Sequence, residues 1–431
     1  MMNHSQTSQT KNSLEGLIAA GTTYISFAFI ALLREGRLKL KIKNLTVLIM
    51  IFAVSSTFLA YAPKASAAKN PNASWTFMVY LDCDNSLDYF GPINIQQISY
   101  GLTVDAEVNV IVLIDRLNLP AYTYEVKHNQ INTVQTLEEV DMGNTETLTS
   151  FITFATTNYP ATYYFLDIWD HGGGYRGACW DESSGNHLSP HNIETSLAQA
   201  ESQTGTHVQV VGFDACLMGM VEVCYELKDV TDIVIGSETL TPGYGWPYTQ
   251  LMTYLSTNSE ADPHTLSAEL VNEYVAYYPK YTVQLSAVDE GLIPEFADSL
   301  NTFAEALQAD ISTYKSVIAG ARSASQQNHI LGTANAYYYI DLYKFADLIS
   351  QRIHVPTVSE KAINVMNKLK NAVFAEGHNK QVANLDAKEF GLTINFPPNA
   401  KAYYSSYETY VQCFTSETSW LSFMMAFYQA K

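Results

Sequence analysis

Along the chain, short runs of apolar residues alternate with polar or glycine-rich segments. The apolar runs are Trp75–Leu81, Val108–Ile114, Tyr163–Trp169, Val208–Phe213 and Ile233–Ile235. Unbroken runs of this length are typical of strands that are buried on both faces, as in a largely parallel sheet. Helical periodicity separates the runs. The order of elements therefore predicts a wound α/β sheet with right-handed crossovers and flanking helices.

Two of the helices between these runs have clear start signals. Asn144 is an N-cap candidate for a helix over Thr145–Thr157, and Ser189 followed by Pro190 predicts a helix that ends near Ser202. A third helical pattern follows the fourth run directly, with apolar side chains at Leu217, Met220, Val221, Cys224 and Leu227. We therefore expect that helix to begin close to the end of the fourth strand.

The chain after about Ala287 has a different pattern. Helical periods dominate over residues 289–308, 341–353, 358–375 and 417–429, with one strand-like segment at Gly391–Phe396. We therefore predict an α/β domain over residues 68–287 and a mostly helical domain over residues 288–431.

The N-terminal extension, residues 1–67, has the pattern of an export signal. Basic residues in Lys39–Lys43 precede the apolar run Leu45–Leu59, which is too short to span a bilayer comfortably, and Ala65–Ala67 offers small residues for cleavage. We expect a protein that is secreted or held in the cell envelope, with no stable membrane partner once the signal is removed.

A second apolar stretch, Leu17–Leu33, lies upstream of this signal. It could be a transmembrane segment, but the basic start of a signal belongs at the true N-terminus. We therefore interpret residues 1–38 as an over-extension of the gene model.

Charge and cysteine content exclude several classes of protein. The 431 residues contain 43 acidic and 24 basic side chains, for a net charge of −19, so general nucleic-acid binding is not expected. The five cysteines are too scattered for a disulfide scaffold, and no pair has the C-x-x-C spacing of structural zinc sites.

A histidine and a cysteine each follow one of the apolar runs. Ligands of wound sheets bind beyond the carboxyl ends of the strands. Three glycines follow His171, so a ligand can approach the backbone there. Cys216 lies at a predicted strand-to-helix turn, where the helix dipole would favour the thiolate and an imidazole could take the proton. Either residue alone could be structural, but the two together favour nucleophilic catalysis.

Four segments carry a resemblance to a known family. They are Trp75–Asn85, Ile168–Gly174, Gly212–Glu222 and Glu238–Tyr248. In order and spacing they resemble the clostripain family of cysteine peptidases, relatives of caspases, legumain and gingipains. Weaker similarity extends the resemblance over about residues 75–428.

The resemblance implies a caspase-like fold and a role for several residues. Cys216 would be the nucleophile and His171 the general base, and the backbone N–H groups of Cys216 and Gly172 would hold the oxyanion. Asp214 matches the family residue at the floor of the pocket that selects Arg or Lys. On an extended strand, positions 214 and 216 face the same side. The alternative is that Asp214 caps the following helix.

Other residues leave two interpretations open. Trp246 lies in a rigid aromatic loop and is either a wall of the substrate pocket or simple packing. No cofactor is required by the chemistry. Oxygen-rich groups suit calcium, which some relatives need, but solvated loops have the same composition. The candidate calcium ligands are Asp82, Asp84, Asp181 and Glu182.

We therefore predict an exported cysteine endopeptidase that cleaves protein or peptide substrates after Arg or Lys. Arg176 is the single basic residue between positions 172 and 215, so cleavage between the two catalytic blocks is doubtful. One alternative is a catalytically silent member of the family that serves as a binding or envelope protein. The other is a phosphohydrolase that uses the D-x-D motif Asp82–Asp84.

Overall fold

The computed structural model describes residues 73–326, 338–379 and 391–430. The predicted signal and the extension before it, residues 1–67, lie outside the described residues. Among the residues that are described, no helix combines the length and apolar character needed to cross a membrane.

The centre of the fold is a mixed sheet of nine strands. Across the sheet the order is β12-β10-β9-β8-β5-β1-β2-β3-β4, and two small sheets pair β6 with β7 and β11 with β13. The strands of the described chain are β1 (Trp75–Cys83), β2 (Val108–Arg116), β3 (Leu119–Lys127), β4 (Gln130–Thr136), β5 (Tyr163–Trp169), β6 (Ala178–Asp181), β7 (Asn186–Leu188), β8 (Val210–Asp214), β9 (Ile233–Gly236), β10 (Gln284–Asp289), β11 (Tyr339–Asp341), β12 (Val373–His378) and β13 (Thr393–Asn395).

The five predicted apolar runs form the parallel part of this sheet. They are β2, β1, β5, β8 and β9, which are parallel neighbours in that order. Antiparallel strands extend both edges: β3 and β4 beyond β2, and β10 and β12 beyond β9. The predicted α/β class with a largely parallel central sheet is thus confirmed.

Helices cover both faces of the sheet. They are α1 (Gly91–Gly101), α2 (Thr145–Asn158), α3 (Pro190–Thr204), α4 (Val221–Leu227), α5 (Tyr248–Thr257), α6 (Pro263–Tyr277), α7 (Ile293–Ala309), α8 (Ile311–Ala324), α9 (Leu342–Arg352), α10 (Pro356–Ala372), α11 (Tyr407–Tyr410), α12 (Gln412–Glu417) and α13 (Trp420–Gln429). The long predicted helices of the C-terminal part correspond to α7, α9, α10 and α13.

Two hydrophobic cores, one on each face, hold the layers together. Along β1, Phe77, Val79 and Leu81 belong to the core with α1, α5 and α6, whereas Met78 and Tyr80 belong to the core with α2, α3 and α7. This alternation follows from the two-residue period of a strand. Because both faces are covered, the strand has no polar face, which is why it forms a continuous apolar run.

The two predicted helix starts are observed. The Asn144 side chain accepts a hydrogen bond from the backbone N–H of Glu146 at the start of α2. At the start of α3, Ser189 and Asn192 exchange side-chain and backbone hydrogen bonds in a capping box. Both caps satisfy backbone N–H groups that have no partner inside the helix.

The C-terminal part of the chain shares the sheet of the first part. The boundary drawn at residue 287/288 falls inside β10, and β12 continues the same sheet beyond it. All described residues belong to one compact unit, Ala67–Lys431. The chain after β10 therefore contributes a strand to the same sheet and side chains to one of its two cores.

Candidate active site

The carboxyl ends of β5 and β8 lie side by side. Trp169 and Asp214, the last residues of the two strands, are partners in the parallel register. The residues that follow them line a cavity of about 170 Å³ together with the loop over residues 240–245. His171, Cys216 and Asp214 all line this cavity. A larger cavity of about 380 Å³, beside Leu113 and Phe151, has neither cysteine nor histidine among the residues that line it.

The Cys216 thiol lies partly exposed beside the loop after β9. Its Sγ accepts a hydrogen bond from the backbone N–H of Thr241 at 3.3 Å. Burial raises the pKa of the Cys216 thiol, while the N–H groups of Thr241 and Gly172 act to lower it. The free protein therefore holds this thiol protonated, so a base is required to make it nucleophilic.

The prediction that a helix begins at Cys216 is wrong. Helix α4 begins at Val221, with Met220 as its N-cap. Between β8 and α4 the chain instead pairs with the segment after β9, where the Leu217 N–H donates to the Thr239 carbonyl. Leu217 has a left-handed φ of 67°, which turns the chain out of the sheet. The helix dipole therefore does not act on the thiol.

The His171 imidazole lies half-buried at the end of β5. Its Nε2 is 2.9 Å from the Ser86 hydroxyl oxygen. Burial lowers the pKa of His171, although the nearby Glu182 carboxylate opposes this shift. The neutral form, which can accept a proton, is therefore favoured at neutral pH. Within the described residues, the imidazole and the Cys216 thiol are not hydrogen-bonded to each other.

The Gly172 backbone packs directly on the Cys216 backbone. A Cβ at position 172 would meet the Cys216 carbonyl oxygen and lie 2.7 Å from its nitrogen, so only glycine fits. The Cys216 N–H has no acceptor within the described part of the chain. The Cys216 N–H is thus a backbone donor without an acceptor next to the thiol, and the Gly172 N–H is directed at the sulfur itself. An oxyanion site requires donors of this kind beside the nucleophile.

Asp214 is a buried carboxylate with one unpartnered oxygen. Its Oδ2 accepts hydrogen bonds from the Trp246 N–H at 2.6 Å and from the Tyr248 hydroxyl at 3.0 Å. Its Oδ1 is buried and has no partner. Burial raises the pKa of Asp214 to about 7. Since the donors are Trp246, before α5, and Tyr248, its first residue, and since α4 has Met220 as its N-cap, the alternative that Asp214 caps the following helix is wrong.

Tyr248 joins Asp214 to a second buried carboxyl group. Its hydroxyl also lies 2.6 Å from Oδ2 of Asp167. One phenol proton cannot serve two carboxylates, and burial raises the pKa of Asp167 well above its usual range. The consistent assignment is a protonated Asp167 that donates to Tyr248, which in turn donates to Asp214. Sequence reasoning missed both residues, although an aspartate inside the apolar run of β5 was a visible anomaly.

Trp246 is not among the residues that line the cavity, and it contacts Asp214 through its backbone N–H. Its side chain is fully buried and packs edge-on against Phe165, with centroids 6.2 Å apart. A Cβ at Gly212 would lie 2.5 Å from this ring. Of the two interpretations, packing describes the Trp246 side chain, and its N–H orients the Asp214 carboxylate.

The chain was compared with known proteins on the basis of this fold and site. The model of the clostripain family matches residues 79–426, which is most of the chain. The protein belongs to the clostripain family. It is therefore a cysteine peptidase with protein or peptide substrates, as the resemblance implied. Clostripain from Hathewaya histolytica is 25% identical over 421 residues, covering 79% of this chain and 78% of that protein.

Solved clostripain-family structures share the fold of this chain. One is a secreted C11 cysteine protease from Bacteroides thetaiotaomicron in complex with an irreversible peptide inhibitor, with a TM-score of 0.62 and 20% identity. Another is an inactive zymogen of a C11 protease from Parabacteroides distasonis, with a TM-score of 0.63 and 19% identity. Each comparison covers 82% of this chain and 99% of the solved chain. The caspase-like fold is confirmed.

An acidic cluster lies at the ends of β1, β2 and β6 in this clostripain-family chain. Asp84, Asp115, Glu139 and Asp181 each offer a carboxylate oxygen within 4.8 Å of the others. Oδ1 of Asp84 and Oδ2 of Asp115 are buried and unpartnered. Burial raises the pKa of Asp115 to about 8, with the Glu139 charge as the next cause.

This cluster differs from the predicted set of calcium ligands. Asp84 and Asp181 belong to it, but Asp82 and Glu182 do not. The two members that sequence reasoning missed, Asp115 and Glu139, come from β2 and a later loop, so no local spacing marks them. Asp82 and Asp84 are both fully buried, so the D-x-D phosphohydrolase alternative has no accessible nucleophile.

Arg176 lies in a short turn, Gly174–Arg176, directly after the glycines that follow His171. Its guanidinium carbon is 4.7 Å from the centroid of the Tyr404 ring, in a cation–π contact. The peptide bond after Arg176 is therefore part of a folded turn, and the Arg176 side chain contacts Tyr404 in the C-terminal part of the chain.

Proposed function

We propose that this peptidase cleaves the bond after Arg or Lys through a dyad of Cys216 and His171. The observation that carries the proposal is the unpartnered oxygen of Asp214 in the cavity that also holds both dyad residues. A buried acceptor without a partner is rare in folded proteins and costs stability. A cationic side chain entering the cavity would supply the missing donor.

In the proposed mechanism, the neutral His171 imidazole takes the proton of Cys216. The sulfur then attacks the carbonyl carbon of the substrate, and the Gly172 and Cys216 N–H groups stabilise the oxyanion. When the carbon–nitrogen bond breaks, His171 gives the proton to the leaving amine. A water molecule, activated by the same imidazole, hydrolyses the thioester and restores the free thiol.

The dyad needs a rearrangement before it can react. In the free protein the imidazole contacts Ser86 rather than the thiol. Hydrogen bonds of catalytic groups often tighten only in the substrate complex. We therefore expect substrate binding to bring the imidazole within reach of Sγ.

Specificity follows from the charge of Asp214. When it is ionised, its carboxylate attracts Arg or Lys, and the planar fork of Arg matches a carboxylate better than the point charge of Lys. A neutral residue before the scissile bond would leave this buried charge unpaired, a loss of roughly 2–5 kcal/mol. The corresponding discrimination is on the order of a hundredfold or more.

The test is a matched peptide series with Arg, Lys, Gln or Leu before the scissile bond. We expect wild-type kcat/KM to fall in that order, and Asp214→Asn to lose most of its activity on the Arg peptide. Alkylation of Cys216 by iodoacetamide serves as the control, because it should be unchanged in Asp214→Asn. The proposal is refuted if both proteins rank the peptides alike. Peptide binding without alkylation or turnover would instead support the catalytically silent alternative.

We also propose that the protein is exported and works as a single uncut chain. The predicted signal, together with a homologue described as secreted, supports export. The engaged Arg176 side chain supports an intact chain between His171 and Cys216. Intact-mass measurement of the native protein should give an N-terminus near Ala68 and one fragment. Retention of residues 17–33, or two fragments that meet at Arg176, would contradict this.

Calcium binding at the acidic cluster is a further part of the proposal. Buried carboxylate oxygens without donors fit a hard cation that takes oxygen ligands. Calcium should therefore raise the unfolding midpoint of the protein. The rise should shrink in Glu139→Gln but persist in Glu138→Gln, a neighbouring exposed acid outside the cluster. Equal responses of the two variants, or no response in the wild type, would refute the site.

A further inference from the structure

A mixed cluster of metal-ligating side chains lies where three helices meet. His191 is on α3, Glu226 on α4 and Cys413 on α12. One ligand atom from each lies within 4.8 Å of the other two. We refer to these residues as the His191–Glu226–Cys413 cluster. None of them lines the catalytic cavity.

Two atoms of the cluster are buried without a hydrogen-bond partner. They are Nδ1 of His191 and Oε2 of Glu226, which face each other at 3.5 Å. The other oxygen of Glu226 accepts a hydrogen bond from the Phe414 N–H at 2.8 Å, which fixes the direction of the carboxylate. Glu226 is only 2% exposed, so water does not satisfy the remaining oxygen from the surface. Within the described residues Cys413 is the other group that acts on the Glu226 carboxylate, so a cation placed among the three side chains would give both buried atoms a partner.

The third ligand is the partly exposed thiol of Cys413. A thiol that coordinates a cation is deprotonated. On binding, the proton of Cys413 passes to solvent and the sulfur becomes a thiolate ligand.

The donor set selects the class of metal. Nitrogen, oxygen and sulfur ligands together suit zinc, whereas calcium and magnesium take oxygen ligands alone. We propose that the His191–Glu226–Cys413 cluster binds Zn²⁺. Glu194, whose Oε2 lies 3.6 Å from Nδ1 of His191, is the protein group available for a fourth position, which water otherwise fills.

A metal bound at this cluster would connect segments that lie far apart in the sequence. It would tie α12, in the last twenty residues of the chain, to α3 and to α4, which follows the Cys216 segment. Bound metal therefore stabilises the fold around the catalytic domain without contacting the reacting atoms. The readout of choice is metal binding and stability, not peptidase activity.

The experiment uses cobalt as a spectroscopic substitute for zinc. It is done in the Cys216→Ala protein, so that the Cys216 thiol near His171 cannot contribute a cobalt–thiolate band. We expect one Co²⁺ per chain, with the near-ultraviolet absorption of a cobalt–thiolate bond, and loss of this absorption when Zn²⁺ is added. Zn²⁺ should also raise the unfolding midpoint. Absence of a cobalt–thiolate band at saturating metal overturns the proposal.

Variants assign the ligands. Adding Cys413→Ser should abolish the band, and adding His191→Gln should weaken cobalt binding at least tenfold. His207→Gln is the matched control, since His207 also lies between two acidic side chains, Glu201 and Asp232, but has no thiol in its contacts. It should bind cobalt like its parent. A band that survives Cys413→Ser refutes the site. If that variant fails to fold, an undiminished affinity in the half-exposed His191→Gln refutes it equally.

Discussion

The carboxyl ends of β5 and β8 carry similar residues, but the aspartates at the two ends differ in their hydrogen bonds. Each end has one buried aspartate, Asp170 or Asp214, followed by one reactive side chain. Both oxygens of Asp170 have donors, from the Asn85 amide at 2.7 Å and the Trp180 N–H at 2.5 Å. Asp214 has donors on one oxygen only.

This difference separates a positioning carboxylate from a binding one. Asp170 also accepts from the backbone N–H of His171, so its donors fix the loop that carries the imidazole. Neither of its oxygens is left without a donor. Asp214 is held in place by the Trp246 N–H, and its other oxygen has no hydrogen-bond partner among the described residues. Under the proposed function that oxygen binds the substrate, so that adjacent strand ends of one sheet would divide structure and recognition between them.

The largest expected effect is on the reactive side chains of the two ends. Cys216→Ala and His171→Ala should each lower kcat/KM on the order of 10⁴-fold or more, because nucleophile and base act as one unit. For the same reason the double variant should be little worse than either single one. Stopped assays on the best peptide measure this, with unchanged unfolding midpoints as the control. Full activity in Cys216→Ala would transfer the nucleophile to another thiol.

The pH dependence of specificity should isolate Asp214. Below pH 7 its carboxyl group is increasingly neutral, since burial raises its pKa to about 7. The ratio of kcat/KM for the Arg peptide to that for the Leu peptide should therefore fall about tenfold per pH unit below that midpoint. Titration of His171 affects both peptides and cancels in the ratio. A ratio that is flat with pH in the wild type would contradict the assignment.

Asparagine substitutions should separate the two aspartates by stability. At position 214 the amide oxygen can accept both existing donors while its NH₂ group takes the unpartnered side. At position 170 the NH₂ group must face one of the two donors, which leaves a buried donor unpaired. We expect Asp170→Asn to lower the free energy of unfolding by about 1–3 kcal/mol, and Asp214→Asn not to lower it at pH 7. Denaturant unfolding measures both, and equal losses would remove the distinction.

The pH dependence of the free energy of unfolding is a second measurement that tests Asp214. Burial raises the pKa of Asp214 in the folded protein to about 7, above its ordinary value of 3.8. The folded protein therefore keeps a proton that the unfolded chain has released, and stability falls as pH rises from about 4 to about 7. In Asp214→Asn this contribution to the fall in stability with rising pH should be absent.

A smaller effect is expected from Tyr248→Phe. Removing the hydroxyl takes one donor from the ionised Asp214, so its pKa should rise further. The midpoint of the specificity ratio should move to higher pH while the alkylation rate of Cys216 stays the same. A midpoint that does not move would show that the Asp167–Tyr248 pair leaves Asp214 unaffected.

The smallest effect is expected from Ser86→Ala. The imidazole must leave Ser86 to reach the thiol, so removal of one hydrogen bond, about 0.5–1.5 kcal/mol, should raise kcat/KM by at most about tenfold. Unchanged binding of a competitive peptide would confine the effect to catalysis. A decrease in kcat/KM would show instead that Ser86 orients the ring for reaction.

Parallel strands were predictable, and most of the antiparallel ones were not. The inner strands have two buried faces and form continuous apolar runs, so their pattern is local. In β3 the pattern is broken by exposed positions, and β4 is mostly exposed. Strand β12 is only half-buried, with a glycine near its end, and gave no strand pattern. These strands depend on pairing with a neighbour that the sequence does not identify.

The site was predictable only where motif and strand end coincide. His171, Asp214 and Cys216 follow apolar runs and line one cavity, and Gly172 packs on the Cys216 backbone. The partners that set their properties, such as Ser86, Thr241 and Tyr248, come from separate segments of the chain. The zinc ligands proposed above lie at positions 191, 226 and 413, a separation with no local signal. The prediction that α4 begins close to Cys216 is wrong because the backbone of Leu217 pairs with the segment after β9, although the apolar periodicity there is helical.

The position of β12 at the edge of the nine-stranded sheet has a consequence for the timing of activity. Residues 373–378 complete the sheet, and side chains as late as Phe427 belong to a core that begins at Met78. Contacts between such distant parts of a chain form slowly and only after synthesis of both ends. We therefore expect a nascent chain to stay inactive until nearly all of it has been made, so that the order of synthesis itself protects the cell that makes this peptidase.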